Sequence, residues 1–477
     1  MILTVDSSKY LCKTDYMRLV FVIILLMAGM KVVADTHYVS LSGTNNPPYA
    51  SWPDASTNII WAVNEAGSGD TVLVSNGIYY TTGQVYSAAA ITLRSFNGRD
   101  ATILNGDNAS TNRCVYFTSS SAVFDGFTVT NYSTRASDGA LYGYKFYNST
   151  FVSNRCTGIA GPVTGVLGGR GTIVMGSGGN ITNCIFRNNV NNYGGGIFSS
   201  PANNTRISGC WFEDNSGSYG GGCALLFATN AIVSNCVFIN NDGHYNGGGL
   251  FILYGMNNSV LNCTIISNFT LSGSGRGGGI DMYYSGLIKD CSIIGNSAAN
   301  QGGGINLVYN LGTNVAIINC LIARNQSTTN TGGGIWATNC NIESCTIVSN
   351  YAKVAAGGVY LAGPGSSGTN SIIYFNTAPS AANFTNPAEN AGLSYSCVIP
   401  AVNGTANITN NPVLKDLAGG DYRLRITSPC VNAGTNQPWM TGAVDLQGNA
   451  RILKTIVDMG AYETRIWQGT IFWVPGQ

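Results

Sequence analysis

Gly-Gly-Gly followed by an apolar residue recurs at Gly194, Gly220, Gly247, Gly277, Gly302 and Gly332, with a degenerate copy at Ala356-Gly357-Gly358. Between these copies sits a second phrase, apolar-x-Asn-Cys-x-apolar-x-x-Asn. Its cysteines are Cys184, Cys210, Cys236, Cys263, Cys291, Cys320 and Cys345, separated by 26, 26, 27, 28, 29 and 25 residues. A period of that size means one structural unit stacked on itself, each copy burying its apolar side against the next.

Alignment on the cysteine turns the chain into columns. Three places before it stand Ile181, Ile207, Val233, Val260, Ile288, Ile317 and Ile342; two places after it stand Phe186, Phe212, Phe238, Ile265, Ile293, Ile322 and Ile347. The column between is mixed, with Ile185, Trp211 and Thr264 among its members. Inward and outward positions therefore alternate as in a strand. Five places after the cysteine every copy has asparagine: Asn189, Asn215, Asn241, Asn268, Asn296, Asn325 and Asn350. Asparagine tolerates left-handed backbone and bonds through its side chain, so this column predicts a tight corner. Gly126 with Asn131, Ser149 with Asn154 and Ser371 with Asn376 keep the same offset, giving about ten coils between residues 120 and 380. The long spacing from Ser149 to Cys184 reads as a Gly-rich insertion.

Short β-branched strands, glycine corners and no helical period predict an all-β, right-handed parallel β-helix of ten or more coils. Residues 1–34 read as a signal peptide with an upstream extension before Met17, which predicts export. Residues 35–75 form an N-terminal cap with a helix near Ala55 to Ala66 and a first strand at Asp70–Val74; 76–380 hold the repeats; 381–477 form a small β-rich C-terminal segment. No transmembrane span is expected in the mature chain, and a monomer is expected.

Stacked parallel side chains lie about 4.8 Å apart, wider than the roughly 3.5 to 4.5 Å between the Cβ atoms of a disulfide, so the seven repeat cysteines read as a dry thiol ladder. Cys397 and Cys430 fall outside it and are the better candidates for a bridge. No metal-ligating set is expected, because the ladder lacks histidine partners. Charged residues make up only 9% of the chain and the net charge is +1, which excludes a phosphate-neutralising stripe and with it nucleic acid as a partner.

The alternation of Gly-Gly-Gly-Ile with Phe186-Arg187-Asn188-Asn189, Phe212-Glu213-Asp214-Asn215 and Phe238-Ile239-Asn240-Asn241 resembles the repeats of chlamydial polymorphic outer-membrane proteins. Asp421-Tyr422-Arg423-Leu424, Ser428 to Gly434, Asp445 to Arg451 and Val457 to Glu463 resemble the choice-of-anchor domain that ends many bacterial β-helix proteins. These resemblances imply a secreted or cell-surface protein, and no particular reaction. The coil also resembles the scaffold of pectate lyases and polygalacturonases, though the aspartate pairs and Gly-His-Gly phrase of the latter are missing.

A polysaccharide lyase needs a base and a cationic neutraliser of the uronate carboxylate; a glycosidase needs two carboxyl groups at a set separation. The best local group is Glu213, Asp214, Asp242 and His244, with Arg187 one coil away. It forms either a Ca²⁺ or sugar site, with Ca²⁺ entering only for a lyase, or an ordinary solvated corner. Arg276, Asp281, Lys289 and Asp290 form a second group, read as an exposed ion-pair patch, and the charged residues of the tail motif read as buried pairing and turn formation. Aromatic columns point outward: Phe198, Phe251, Trp336 and Tyr360 follow the glycine phrases, while Tyr193, Tyr219 and Tyr245 precede them. They suit either rung-to-rung stacking or the apolar faces of sugars. The expected function is non-catalytic binding of a polysaccharide or cell-surface glycan, with a lyase or hydrolase of acidic polysaccharide as the alternative.

Overall fold

The computed structural model describes residues 34–465, apart from 82, 108–112, 135–138, 157–170, 285, 309–314 and 388–391. The signal-peptide reading, save Ala34, and most of the Gly-rich insertion lie outside the described residues. Within them the chain winds through about eleven turns of a parallel β-solenoid. One coil shows the plan. Ile197–Ser199 is followed by Arg206–Ser208, Trp211–Glu213 and Ser216–Tyr219, and each pairs in parallel with its equivalent one coil later.

Corners are set by left-handed residues. In the coil above they are Asn204, Gly209, Asp214 and, before the next glycine phrase, Gly220, with φ of 53°, 61°, 54° and 62°. The left-handed residue at the third corner precedes the asparagine column rather than belonging to it, as Asn188, Asp214 and Asn240 show. The same shift corrects the frame at Gly126 and Asn131. Both have positive φ, and Thr128 pairs with Thr150, so Phe127 and Tyr132 occupy the ladder positions there.

The column asparagines turn inward and are buried. Asn241 donates its Nδ2 to the carbonyl of Phe212 at 3.0 Å and to Oδ1 of Asn268 at 2.8 Å, and its backbone N–H reaches the same Oδ1 at 2.9 Å. This pattern continues from Asn154 to Asn383. Beside it Phe151, Phe186, Phe212 and Phe238 stack at 5.0, 4.9 and 4.5 Å, filling the coil interior. The seven repeat cysteines are buried free thiols whose Sγ atoms point at backbone carbonyls, such as Cys236 on Ser234 at 3.1 Å. Cys397 and Cys430 are also free and share one apolar cluster.

The glycine phrase is required by backbone approach. At Gly247 φ is +59°, and a Cβ on Gly248 would lie 2.2 Å from the carbonyl oxygen of Gly278 in the next coil. Such contacts leave no room for a side chain.

The cap helix is Ile59–Glu65, started by Asn58, whose side-chain oxygen accepts from the Ile60 N–H. A strand at Thr36–Val39 precedes the expected first strand and pairs with Thr71–Val74. At the other end the coil runs past residue 380, because Phe384–Thr385, Gly392–Ser394 and Cys397–Val398 add another rung. The remaining segment, from the antiparallel pair Leu414–Asp416 and Asp421–Leu424 onward, packs against the side of the last coils. Arg451, wholly buried, lies 3.4 Å from Glu463, and Asp445 and Asp458 accept backbone N–H bonds around it. Trp439 donates its indole N–H to Glu343 at 2.6 Å, and Ala461 N–H reaches Thr346 Oγ1, which fixes this segment on the solenoid.

Replacing Asn268 by leucine strands the N–H and Nδ2 of Asn241, the Phe238 carbonyl and Oδ1 of Asn296 in a dry interior. The expected cost is about 3 kcal/mol or more, read as a lower thermal midpoint; an unchanged midpoint would refute the ladder account.

Candidate functional site

Parallel, in-register coils convert one outward position into a line of side chains along the molecule. The position after the first apolar residue of each glycine-phrase strand runs Tyr86, Tyr116, Tyr142, Val174, Phe198, Ala224, Phe251, Asp281, Asn306, Trp336, Tyr360 and Thr385. At about 4.8 Å per rung this line is about 50 Å long. Aromatic rings stand at Tyr86, Tyr116 and Tyr142 at one end and at Trp336 and Tyr360 near the other, and a polar break at Asp281 and Asn306 interrupts the line.

Asp281 is fully buried, yet faces outward from its strand. Its Oδ1 accepts from Nδ2 of Asn306 at 2.7 Å, and its Oδ2 accepts from Nδ2 of Asn246. Burial pushes its carboxyl up to about 6, against those two amides and the nearby Arg276 charge. The Tyr283 hydroxyl accepts from Asn246 at 3.4 Å and is engaged by Arg276. Burial and the Asp281 charge both raise its pKa. While both amide nitrogens donate to the carboxylate, Oδ1 of buried Asn306 has no hydrogen-bond partner. The break is thus an acid held by amides, with a phenol and a guanidinium beside it.

The aromatic part divides into roofed and exposed rings. Phe198 and Phe251 point outward but are 0% and 3% exposed, because Tyr193 stands edge-on to Phe198 at 5.5 Å and Tyr219 stacks on Phe251 at 5.5 Å. Neither phenylalanine offers a free face, which corrects their reading as sugar contacts. Tyr193 and Tyr219 stack at 5.3 Å, and Tyr245, 5.6 Å beyond, is 41% exposed. Trp336 and Tyr360 stack at 5.3 Å with planes 7° apart. Tyr86, Tyr116 and Tyr142 continue the line with centroids 5.7 and 5.1 Å apart, and Tyr86 is 49% exposed. They precede the cysteine phrase, so the repeat gave no signal for them; alternation around Val85 and Val115 is the only trace.

The first charged group does not converge. Arg187 and Glu213 form a 2.7 Å ion pair on one strand face, where Trp211 Nε1 also meets Glu213 at 3.3 Å. Asp214 is the exposed left-handed residue of the following corner. Asp242 and His244 lie beyond that corner on Asp242–Asn246. Burial raises the Asp242 carboxyl while His244 opposes the shift, and Oδ1 of Asp242 has no partner. His244 stands edge-on to Tyr245 at 4.6 Å. In the second group only Arg276 and Asp281 meet. Lys289 sits over the Trp439 ring at 5.1 Å, and Asp290 accepts from Asn319 at 2.6 Å, so the expected ion-pair patch is divided between two faces. Among the described residues no cluster of three or more metal-ligating side chains occurs, and no helix is long and apolar enough to cross a membrane.

A family model described as "Right handed beta helix region" matches residues 67–322. The chain belongs to this right-handed β-helix family. Its solved structural neighbours include an alginate lyase in complex with a trisaccharide, 14% identical, covering 77% of this chain and 87% of that one with a TM-score of 0.54. A second, the alginate lyase AlyF-OU02 with G6, is 12% identical and covers 91% and 96% at a TM-score of 0.51. These likenesses concern the fold. A search of curated proteins finds no match.

Asp281 supplies a pH test. Its folded pKa lies above the ordinary carboxylate value of 3.8, so its contribution to stability is fully present below that value and lost as pH rises through about 6. The wild-type melting temperature should therefore contain a fall between pH 4 and 7 that is absent in Asp281→Asn, as scanning calorimetry across that range would show.

Proposed function

We propose that this β-helix binds an extended polysaccharide along its outward column, as an exported glycan-binding protein. The observation that carries the reading is the line itself, with rings at intervals close to a sugar repeat and a hydrogen-bonding break within it. Aromatic rings meet the apolar C–H faces of sugars, and the half-buried Tyr283 phenol beside the break meets hydroxyl groups. That two neighbours on the same fold are titled as complexes with a trisaccharide and with G6 supports a saccharide as partner. Export and a cell-surface setting follow from the signal-peptide reading and the tail resemblance.

A second reading, cleavage by β-elimination, is favoured by Arg276 and Tyr283 beside Asp281. Arg276 would neutralise a uronate carboxylate and Tyr283 would carry a proton at its hydroxyl. Hydrolysis by paired carboxyls has less support, since both carboxylate oxygens of Asp281 face amides.

Residues 35–477 incubated with neutral, uronic and sulfated polysaccharides, with and without Ca²⁺, separate the two. Binding without shortening, weakened about tenfold or more by Trp336→Ala, is the expected result. Shortened chains that disappear on Tyr283→Phe would establish the lyase instead, and products lost on Asp214→Ala or Asp242→Ala would return the site to the corner.

A further inference from the structure

Charge is scarce in this chain, with 23 lysines and arginines over 477 residues. Four of them, Lys415, Arg423, Arg425 and Arg465, nevertheless line a single cavity in the C-terminal segment, together with Gln447 and Thr464. The cavity is built from the antiparallel pair Leu414–Asp416 and Asp421–Leu424 and the stretch around Glu463, elements separate from the outward column.

Its charge is only partly compensated, by Asp421, which pairs with Arg423 and also feels Lys415. Arg423 is neutralised by Asp421, which takes both Nε and Nη2. The Arg425 guanidinium donates only to backbone carbonyls, those of Leu414 and Lys415, which hold it in place and leave its charge unanswered. Among the described residues no acid pairs with Lys415, Arg425 or Arg465. The one lining acid, Glu463, is pushed up to about 8 by burial and by Asp458, against the pull of Arg451, and so carries little charge at neutral pH. Three cations around a concave, amide-lined space attract a ligand carrying several negative oxygens.

We propose that this cavity is an accessory site for the anionic groups of an acidic polysaccharide, whether uronate carboxylates or sulfate esters. That the ligand is a saccharide rests on the function proposed above; that the site takes anions rests on the cavity alone. Bound there, an acidic chain is held by charge, while a neutral chain meets only the outward column.

The test is calorimetric titration of the full protein with hexagalacturonate, a sulfated hexasaccharide, neutral cellohexaose and inorganic sulfate, at low and high salt. Lys415→Gln/Arg465→Gln alters two exposed side chains and leaves the anchored Arg425 untouched. At least one anionic hexasaccharide should bind, lose affinity at high salt, and lose about tenfold or more in this variant, with cellohexaose unaffected. Which one binds distinguishes carboxylate from sulfate. Trp336→Ala should leave the anionic binding in place, so failure of the column reading and failure of this one give different results. Equal affinity of wild type and variant, absence of anionic binding at low salt, or binding of inorganic sulfate without either oligosaccharide would each overturn the proposal.

Discussion

Everything in this molecule depends on coils staying in register, and the buried asparagine ladder enforces that register. Each side chain ties three coils, because its Nδ2 reaches a carbonyl of the coil before while its partner oxygen belongs to the coil after. A slip of one residue would leave amide groups unpaired in a dry interior at roughly 1 to 3 kcal/mol each. Variation in coil length is consequently taken up at loops, while the strand positions hold. The glycine phrase works with the ladder, since the Gly248 backbone packs so closely on the next coil that a side chain would push the two apart.

Register is what makes an outward column possible. A ring at one coil lies one strand spacing from the ring at the next, whatever the loops between them do. The tyrosines before the glycines exploit this by leaning over the column, which turns Phe198 and Phe251 into a small outer core beneath Tyr193 and Tyr219. Where this outer core ends, Phe251 meets Tyr283 edge-on at 6.0 Å, and the polar break begins. Asp281 can be buried there because two amides satisfy it, and the cost of that burial appears as its raised pKa.

The architecture was legible because stacking writes each position many times. Cysteine, asparagine and glycine columns gave the fold, the inward and outward sides of each strand and the dry thiol ladder. Alternation alone could not show that another ring covers an outward one, so Phe198 and Phe251 were misread. The break was half visible. Asp281 stood in the column, but Asn246 was hidden because its coil carries one extra residue, and a bulge pairs Asn246 with Tyr219 where counting from the cysteines favoured Tyr245. Lys289 and Asp290 failed for the opposite reason. They are close in sequence to Asp281 but lie on a different strand and corner, and strand face overrides sequence proximity in a solenoid.

The placement of charge bears on the kind of sugar each region can accept. Along the column Asp281 is the one carboxylate, its oxygens already occupied by amides, and Arg276 is the cation next to it. An array of rings and amides with so little net charge matches hydroxyl-rich sugar faces, and it offers a dense run of uronates only one neutralising group. The C-terminal segment has the opposite character. Its buried acids surround Arg451 and bond to backbone N–H groups, which leaves Lys415, Arg425 and Arg465 as cations facing solvent. Burial of Glu463 strengthens that asymmetry, because a carboxyl raised to about 8 removes negative charge from the rim at neutral pH. As pH rises through that value the carboxyl ionises beside Asp458, adding negative charge where an anion would sit. Anion affinity at the cavity should therefore weaken above neutral pH, while stacking on the Trp336 ring, which does not titrate, stays constant.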